Sequence, residues 1–501
     1  MTEKPPSNKK PLSYGCWATL FKYMDANTRC EFSRCCPEVA NLEKQVPLKI
    51  DILGFGPMQL KVNDTTYTVG VVREWIGGRS PKMFVEKNQN GGLCYDLDRF
   101  GCRSKTEDLP LLEGDIRFRN EDFFARGVID KNRHDNHSEI PITPGQFYQQ
   151  LNILNLHEGC QKCEGLDYDD NGSDVEDDEW LPQPQNSLLP ILRNHKDQGG
   201  EHSEVEKKRR ALDDVCKAFL QHKKYCNKLR LISLPVHCRM TNQAPPFRMI
   251  LQLTIDSPGG RKVERVEYNT TLMGAFRAVV DSVFDRRSEK KLYVRRLEIN
   301  YDDMRIYMPP GWKIGYKQLA VNGKVEAVFE KLRPITDMEY SYPLEVLKFN
   351  HRPGYNYLRP NPVMDTAQHL EVFLCENSPW LPPSCLLENQ SVFIAATDDN
   401  PPIAMFCIFT DKIRGEKRAA GFCYKFGMKD VVYINEMFLS FKHFNGTNPQ
   451  FLDKTSFFIP TSKGHVLMVS LEELGTEHAP WLIKFEVLPS QALPGSGHSS
   501  T

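Results

Sequence analysis

The sequence has no run of about 18 consecutive apolar residues, the length that a transmembrane helix requires. Its first ten residues, MTEKPPSNKK, also lack the apolar core of a signal peptide. We therefore expect a protein that neither spans a membrane nor is secreted. Its expected location is intracellular, in the cytoplasm or the nucleus.

The chain also has almost no net charge, with 64 lysines and arginines against 65 aspartates and glutamates. A balance of −1 creates no overall field that would attract nucleic acid or an anionic membrane. Two short basic clusters, at 207–210 and 286–291, are offset by neighbouring acidic residues and are typical of solvated surfaces. We expect neither a nucleic-acid partner nor a membrane partner.

Motifs of common catalytic sites are absent too. The sequence contains no Ser/His/Asp nucleophile motif, no phosphate-binding Walker loop, no dinucleotide-binding glycine run and no HExxH. Its fifteen cysteines are odd in number and irregularly spaced, unlike a disulfide framework. These absences indicate a protein that is not an enzyme, with no cofactor.

The acidic segment 167–179 matches the opening of a calcium-binding EF-hand loop, in which oxygen ligands alternate before a glycine turn. The matching residues are Asp167, Asp169, Asn171 and Gly172. However, Asp178 occupies the twelfth position, where a bidentate Glu is usual. Half of the ligands of a zinc site could come from His157, Cys160 and Cys163. No second Cys or His pair follows at zinc-finger spacing. A solvated acidic linker is the simpler interpretation, and a calcium- or zinc-regulated protein is a distant alternative.

The first fifty residues predict three short amphipathic helices. Ser13 can cap the first, whose apolar side chains recur at the i, i+3, i+4, i+7 spacing of one face: Trp17, Leu20, Phe21 and Met24. Asn27 can cap the second helix, which carries Phe32, and Pro37 begins the third. Three helices this short cannot bury their own apolar faces, so we expect them to pack on the rest of the chain or on another protein.

The whole chain predicts an α/β (α+β) fold in five parts. These are a helical segment at 1–46, a β-rich region at 47–127, a polar and acidic linker at 128–202, an amphipathic helix with alternating strands and helices at 203–489, and a disordered tail at 490–501.

Four predicted strands in the last large part share a leucine followed two positions later by an aliphatic residue or phenylalanine. The leucines are Leu297, Leu319, Leu347 and Leu370, spaced by 22, 28 and 23 residues. A strand-and-helix unit recurring at that length is typical of a leucine-rich-repeat-like array, in which each unit packs on its neighbours. The usual Asn or Cys position of such repeats is missing, and a non-repetitive α/β sheet is the alternative.

Two stretches of the sequence are distinctive: PLSYGCWATLFKYMDANTRCEFSRCCPEVANLEKQVPLKI, at 11–50, and FCYKFG, at 422–427. Less specific stretches lie at 62–70, 91–101, 114–116 and 309–313. Together they resemble a nematode-expanded family that carries a degenerate F-box-like segment and a C-terminal F-box-associated domain of unknown function.

The resemblance implies an intracellular, non-enzymatic adaptor. F-box proteins insert a three-helix unit into the Skp-type linker protein of a cullin–RING ubiquitin ligase, and present a substrate protein on a C-terminal recognition domain. By position, Leu12 matches the leading Leu of an F-box, Leu20 and Met24 match its first long helix, and Phe32 matches the next apolar anchor. The expected partner-binding face comprises Leu12, Trp17, Leu20, Phe21, Met24 and Phe32. The sequence departs from a full F-box in its reversed Pro11-Leu12 opening and in lacking the Val-x-x-x-Trp ending.

The principal alternative is a stand-alone structural or protein-interaction repeat protein. In that case the N-terminal helices would serve only as a cap on the domain that follows them.

Overall fold

The computed structural model describes residues 14–78, 80–104, 110–118, 231–284, 287, 290–300, 304–351, 362–374, 389–396, 403–416, 418–443, 449–461, 464–474 and 479–490. Several sequence predictions lie outside these residues: Leu12 and the Ser13 cap, the linker at 128–202, the amphipathic helix expected at the start of 203–489, and the tail, apart from its first residue.

The three N-terminal helices are present: α1 (Tyr14–Tyr23), α2 (Ala26–Cys35) and α3 (Pro37–Gln45). Pro37 begins α3 as predicted, because the first turn of a helix does not need its missing N–H. The predicted cap of α2 is wrong. Asp25 caps this helix and accepts hydrogen bonds from the backbone N–H groups of Asn27 and Thr28, at 2.9 and 3.3 Å.

An antiparallel set of strands follows. It comprises β1 (Lys49–Gly56), β2 (Gln59–Val62), β3 (Thr65–Trp75), β5 (Phe247–Ser257) and β6 (Gly260–Glu267). Each strand in this set pairs with the next one along the chain. Helix α4 (Lys82–Gln89), whose Phe84 is buried, was not predicted from the sequence. A short separate pair joins β4 (Asp115–Phe118) to β8 (Met304–Tyr307).

Parallel strands alternate with helices in the next part of the chain. The strands are β7 (Lys291–Ile299), β9 (Lys313–Val321), β10 (Val346–His351), β11 (His369–Leu374), β12 (Ser391–Ala396) and β13 (Cys423–Met428). The helices are α5 (Leu272–Phe284), α6 (Val325–Leu332), α7 (Met338–Ser341), α8 (Pro362–Thr366), α9 (Ile403–Glu416) and α10 (Val431–His443). A 3₁₀ turn (Arg333–Ile335) follows α6.

Antiparallel strands close the chain: β14 (Gln450–Phe451), β15 (Ser456–Pro460), β16 (His465–Glu473) and β17 (Trp481–Pro489). Fifteen strands form one sheet in the order β14-β15-β16-β17-β13-β12-β11-β10-β9-β7-β1-β2-β3-β5-β6. Parallel pairing of β1 with β7 therefore joins the antiparallel set to the parallel strands.

The main core lies between one face of this sheet and the helices. The four predicted leucines are in register on adjacent strands, Leu297 beside Leu319, Leu319 beside Leu347 and Leu347 beside Leu370, and all are buried. Leu53 of β1 extends the ladder at one end. Apolar side chains of α5, α6, α9 and α10 pack in the same cluster as this leucine ladder.

The α/β (α+β) class and the N-terminal three-helix segment are confirmed, whereas a leucine-rich-repeat-like array is not. Antiparallel strands flank the parallel strands on both sides, so the sheet as a whole is mixed. Within the described residues, no helix is both long and apolar enough to cross a membrane.

Candidate protein-interaction surfaces

Helices α1–α3, residues 14–46, form what we call the helical unit, and this unit has a small core of its own. Phe21, Leu42 and Val46 are buried in it. The rings of Trp17, Phe21 and Phe32 lie against one another, with centroids 5.2–6.1 Å apart. The expectation that so short a segment cannot bury its own apolar faces is therefore only partly met.

The predicted partner-binding residues are divided between this core and the surface. Phe21 is wholly buried, and Trp17, Met24 and Phe32 are half-buried against the core. Leu20 points outward and is 41% exposed. Leu12 lies outside the described residues. Tyr23, which was not among the residues predicted from the sequence, is 86% exposed. It lies three positions after Leu20 and therefore on the same side of α1.

Polar contacts attach α2 to the sheet. The Asn27 side-chain amide donates to the carbonyl of Val62 at 2.7 Å, and its oxygen accepts from the Tyr67 hydroxyl at 3.1 Å. The Asn63 amide donates to the Asp25 carboxylate at 2.8 Å. Burial raises the pKa of Tyr67 to about 12, so this hydroxyl remains a donor at neutral pH.

A buried ionic cluster provides the second attachment. Glu43 of α3 accepts hydrogen bonds at one carboxylate oxygen from Arg29 Nε, at 3.0 Å, and from Arg287 Nη2, at 2.9 Å. The three side chains are only 1%, 2% and 6% exposed, for Arg29, Glu43 and Arg287 respectively. Because Arg287 follows α5, the cluster ties the helical unit to the α/β part of the chain.

Arg29 also closes the C-terminal end of α3. Its guanidinium donates to the carbonyls of Glu43, Val46 and Pro47, at 2.8–3.0 Å. The carbonyl of Glu43 also accepts from the backbone N–H of Val46, at 3.1 Å, and the positive charge of Arg29 suits the negative end of the helix dipole. Burial lowers the pKa of Arg29, while Glu43 opposes this shift and Arg287 adds to it.

The face of the sheet opposite the helices carries a second candidate surface. One residue from each of seven adjacent strands lies in register there, and we call these residues the outer row: Glu298, Ala320, Lys348, Glu371, Phe393, Lys425 and Lys484. Each keeps partial solvent exposure in the described part of the chain.

Contacts along the outer row mix charge with aromatic surface. Lys348 Nζ lies 3.8 Å from the Glu371 carboxylate and 4.4 Å from the ring centroid of Phe373. The rings of Phe373 and Phe393 are arranged edge to face, with their centroids 5.8 Å apart. Ion pairs this exposed contribute little to stability, so a partner can replace them at small cost.

Asparagines form a ladder beside the outer row. The Asn350 amide donates to the Asn322 side-chain oxygen, and the Asn322 amide donates to the Asn300 carbonyl, both at 3.3 Å. Each of the three follows its strand's ladder leucine by three positions. That regular offset is visible in the sequence and could have predicted the ladder.

Both metal-binding candidates from the sequence, the EF-hand-like residues and the Cys160–Cys163 pair, lie outside the described residues. Within the described ranges, no group of three or more His, Cys, Asp or Glu side chains is placed to hold a metal ion.

The family model for a domain of unknown function (DUF3557) matches residues 271–430. This segment contains the parallel strands β7 and β9–β13 with helices α5–α9, and it excludes the helical unit. No curated protein and no solved structure shows a significant match to the chain. Residues 271–430, with the leucine ladder and six residues of the outer row, are therefore the part of the chain similar to a known, uncharacterised domain.

Proposed function

We propose that this protein is a non-enzymatic adaptor that recognises a substrate protein and recruits it to a cullin–RING ubiquitin ligase. The helical unit docks on the Skp-type linker protein in the manner of an F-box, and the sheet domain holds the substrate. In this proposal the parallel strands act as a leucine-rich-repeat-like recognition surface, with the outer row as the contact face.

The observation that carries the proposal is the exposed apolar pair on α1. The helical unit already has a closed core around Phe21, yet Leu20 and Tyr23 remain 41% and 86% exposed on one side of the same helix. Covering their exposed surface would contribute roughly 1–2 kcal/mol each, before the cost of association. An apolar pair on a pre-formed helix supports docking onto another protein.

The test is a pull-down of purified full-length protein with a Skp-type linker protein. We expect the wild type to retain the linker protein, and the double variant Leu20→Asp, Tyr23→Asp to lose it. Both side chains point away from the core of the helical unit, so the variant should keep its fold. Met24 is a poorer choice for this test because it packs against that core.

A matched control replaces exposed apolar residues on other helices. Ile408 of α9 and Leu439 of α10 are 54% and 53% exposed, and the double variant Ile408→Asp, Leu439→Asp should bind as the wild type does. If folded wild-type protein fails to bind the linker protein, the ligase proposal is rejected.

A second candidate function is the stand-alone recognition protein in which the helical unit is only a cap. The buried cluster of Arg29, Glu43 and Arg287 favours it, because contacts of this kind are typical of a fixed interior joint. Deleting residues 1–46 separates the two functions. Loss of folding in the deletion supports the cap, whereas a folded deletion that no longer binds the linker protein supports the docking unit.

A further inference from the structure

Asparagine followed directly by glycine occurs at four places in the sequence. In this dipeptide the backbone nitrogen of the glycine can attack the amide carbon of the asparagine, because glycine has no side chain to obstruct the approach. The dipeptides are Asn90-Gly91, Asn171-Gly172, Asn322-Gly323 and Asn445-Gly446. The first and the third lie within the described residues, and the structure holds their asparagines in different ways.

The side-chain amide of Asn322 is bound at both of its ends by the asparagine ladder. Its nitrogen donates to the Asn300 carbonyl and its oxygen accepts from the Asn350 amide, both at 3.3 Å. The backbone N–H of Asn322 also donates to the Ile299 carbonyl, at 2.9 Å. Attack by the Gly323 nitrogen would have to break the two side-chain hydrogen bonds, so the fold protects this asparagine.

The side-chain amide of Asn90 has no such restraint. Asn90 follows the last residue of α4, and its exposed side chain makes no hydrogen bond within the described part of the chain. The N–H of Gly91 donates to the Asn88 carbonyl at 3.3 Å, a longer hydrogen bond than the one from the Asn90 N–H to the Glu86 carbonyl, at 3.0 Å. The attacking nitrogen is therefore weakly held, and the amide that it would attack can rotate towards it.

We propose that Asn90 is a site of spontaneous deamidation in the folded protein, whereas Asn322 is protected. The Gly91 nitrogen gives up its proton and bonds to the Asn90 amide carbon, and the amide group leaves as ammonia, which takes up a proton. The resulting five-membered imide is then opened by water at either of its two carbonyl carbons, which gives aspartate or isoaspartate. Overall, one water is consumed and one ammonia is released, with no oxidant or reductant. This modification is independent of docking through α1.

The turn at Asn90 is tightly packed, so a change in its backbone should have a structural effect. Gly91 has a φ of +100°, and its carbonyl oxygen lies only 2.0 Å from the position that a Cβ of Gly70 in β3 would take. Two backbone hydrogen bonds of 2.9 Å then join Leu93 to Val71. Isoaspartate adds a carbon to the main chain at this crossing, and aspartate places a negative charge at the negative end of the α4 dipole. Both products should therefore weaken the attachment of α4 to β3.

The experiment ages the full-length protein in warm, mildly alkaline buffer, with and without denaturing urea. Peptide mass spectrometry measures the replacement of the amide by a carboxyl group at Asn90 and at Asn322. For each asparagine, the rate in the folded protein is divided by the rate in urea, which removes the intrinsic reactivity of its sequence. We expect this ratio to be at least about tenfold higher for Asn90, because reaction at Asn322 requires local opening of the ladder. Equal ratios, or a lower ratio at Asn90, overturn the proposal.

The variant Asn90→Gln is the matched control for the structural effect. Glutamine keeps an exposed amide at this position, but ring closure on Gly91 would need a larger, less favourable ring. After ageing, the wild type should unfold at a lower urea concentration than fresh protein, in proportion to the product formed at Asn90. Aged Asn90→Gln should lack this part of the loss, although its other asparagines age as before. An equal loss in the wild type and in Asn90→Gln would contradict the structural effect at the turn.

Discussion

The carboxylate of Glu43 pairs with two buried arginines. Its charge should therefore contribute more to the free energy of unfolding than the charge of an exposed acid on the same helix. We predict that Glu43→Gln lowers the free energy of unfolding by about 3–5 kcal/mol, because it removes the carboxylate that pairs with two desolvated guanidiniums. Urea unfolding of the full-length protein measures this change.

The matched control for Glu43 is Glu38→Gln. Glu38 belongs to the same helix but is exposed, so its substitution should change the unfolding free energy by no more than about 0.5 kcal/mol. Equal effects of the two substitutions would show that the buried cluster is not a joint between the helical unit and the sheet.

Individual residues also show which features could be predicted from the sequence and which could not. The spacing of Trp17, Leu20, Phe21 and Met24 predicted one apolar face on α1, and the helix is there. Spacing alone could not show that Phe21 turns inward and Leu20 outward, because that depends on where α3 places Leu42 and Val46. Likewise, no local pattern pairs Glu43 with an arginine 244 residues away.

At the scale of elements, the asparagine ladder links the ends of β7, β9 and β10. Asn322 is its middle member, donating to Asn300 and accepting from Asn350. We predict that Asn322→Ala costs about 1–2 kcal/mol of unfolding free energy and Asn350→Ala about 0.5–1 kcal/mol, because the first breaks two ladder hydrogen bonds and the second breaks one.

A double-mutant cycle checks this ladder. The combined variant Asn322→Ala, Asn350→Ala should cost less than the sum of the single variants, since both remove the same hydrogen bond. Strict additivity would mean that the 3.3 Å contact between the two side chains contributes nothing.

Hydrophobic periodicity predicted elements better than it predicted their pairing. The strands that carry the ladder leucines lie where the pattern put them, because their buried positions repeat at strand spacing. Helix α4 was missed because it is a short, polar sequence with only Phe84 buried. The parallel pairing of β1 with β7 joins residues about 240 positions apart, and no window of sequence contains both strands.

Across the whole molecule, the middle strands of the large sheet are buried and the strand at one end is exposed. β10 lies between β9 and β11, with Leu347 and Phe349 buried under the helices. Among the described strands, β6 is the last at one end of the sheet and pairs only with β5, and it is exposed at all eight positions. Its charged side chains, such as Arg261, Lys262 and Glu264, are typical of an edge protected against pairing with other chains.

This difference in burial between the middle and the end of the sheet predicts the pattern of amide hydrogen exchange. We expect peptides from β10 to exchange at least about 100-fold more slowly than peptides from β6. The hydrogen bonds of the central amides break only when the surrounding packing is lost, whereas the outward amides of β6 have no partner among the described strands. Mass spectrometry of the full-length protein at neutral pH measures both. β16, which also has a neighbour on each side, serves as the internal control and should exchange slowly. Exchange in β10 as fast as in β6 would show that the parallel strands do not form the stable centre of the sheet, and that the leucine ladder does not act as its core.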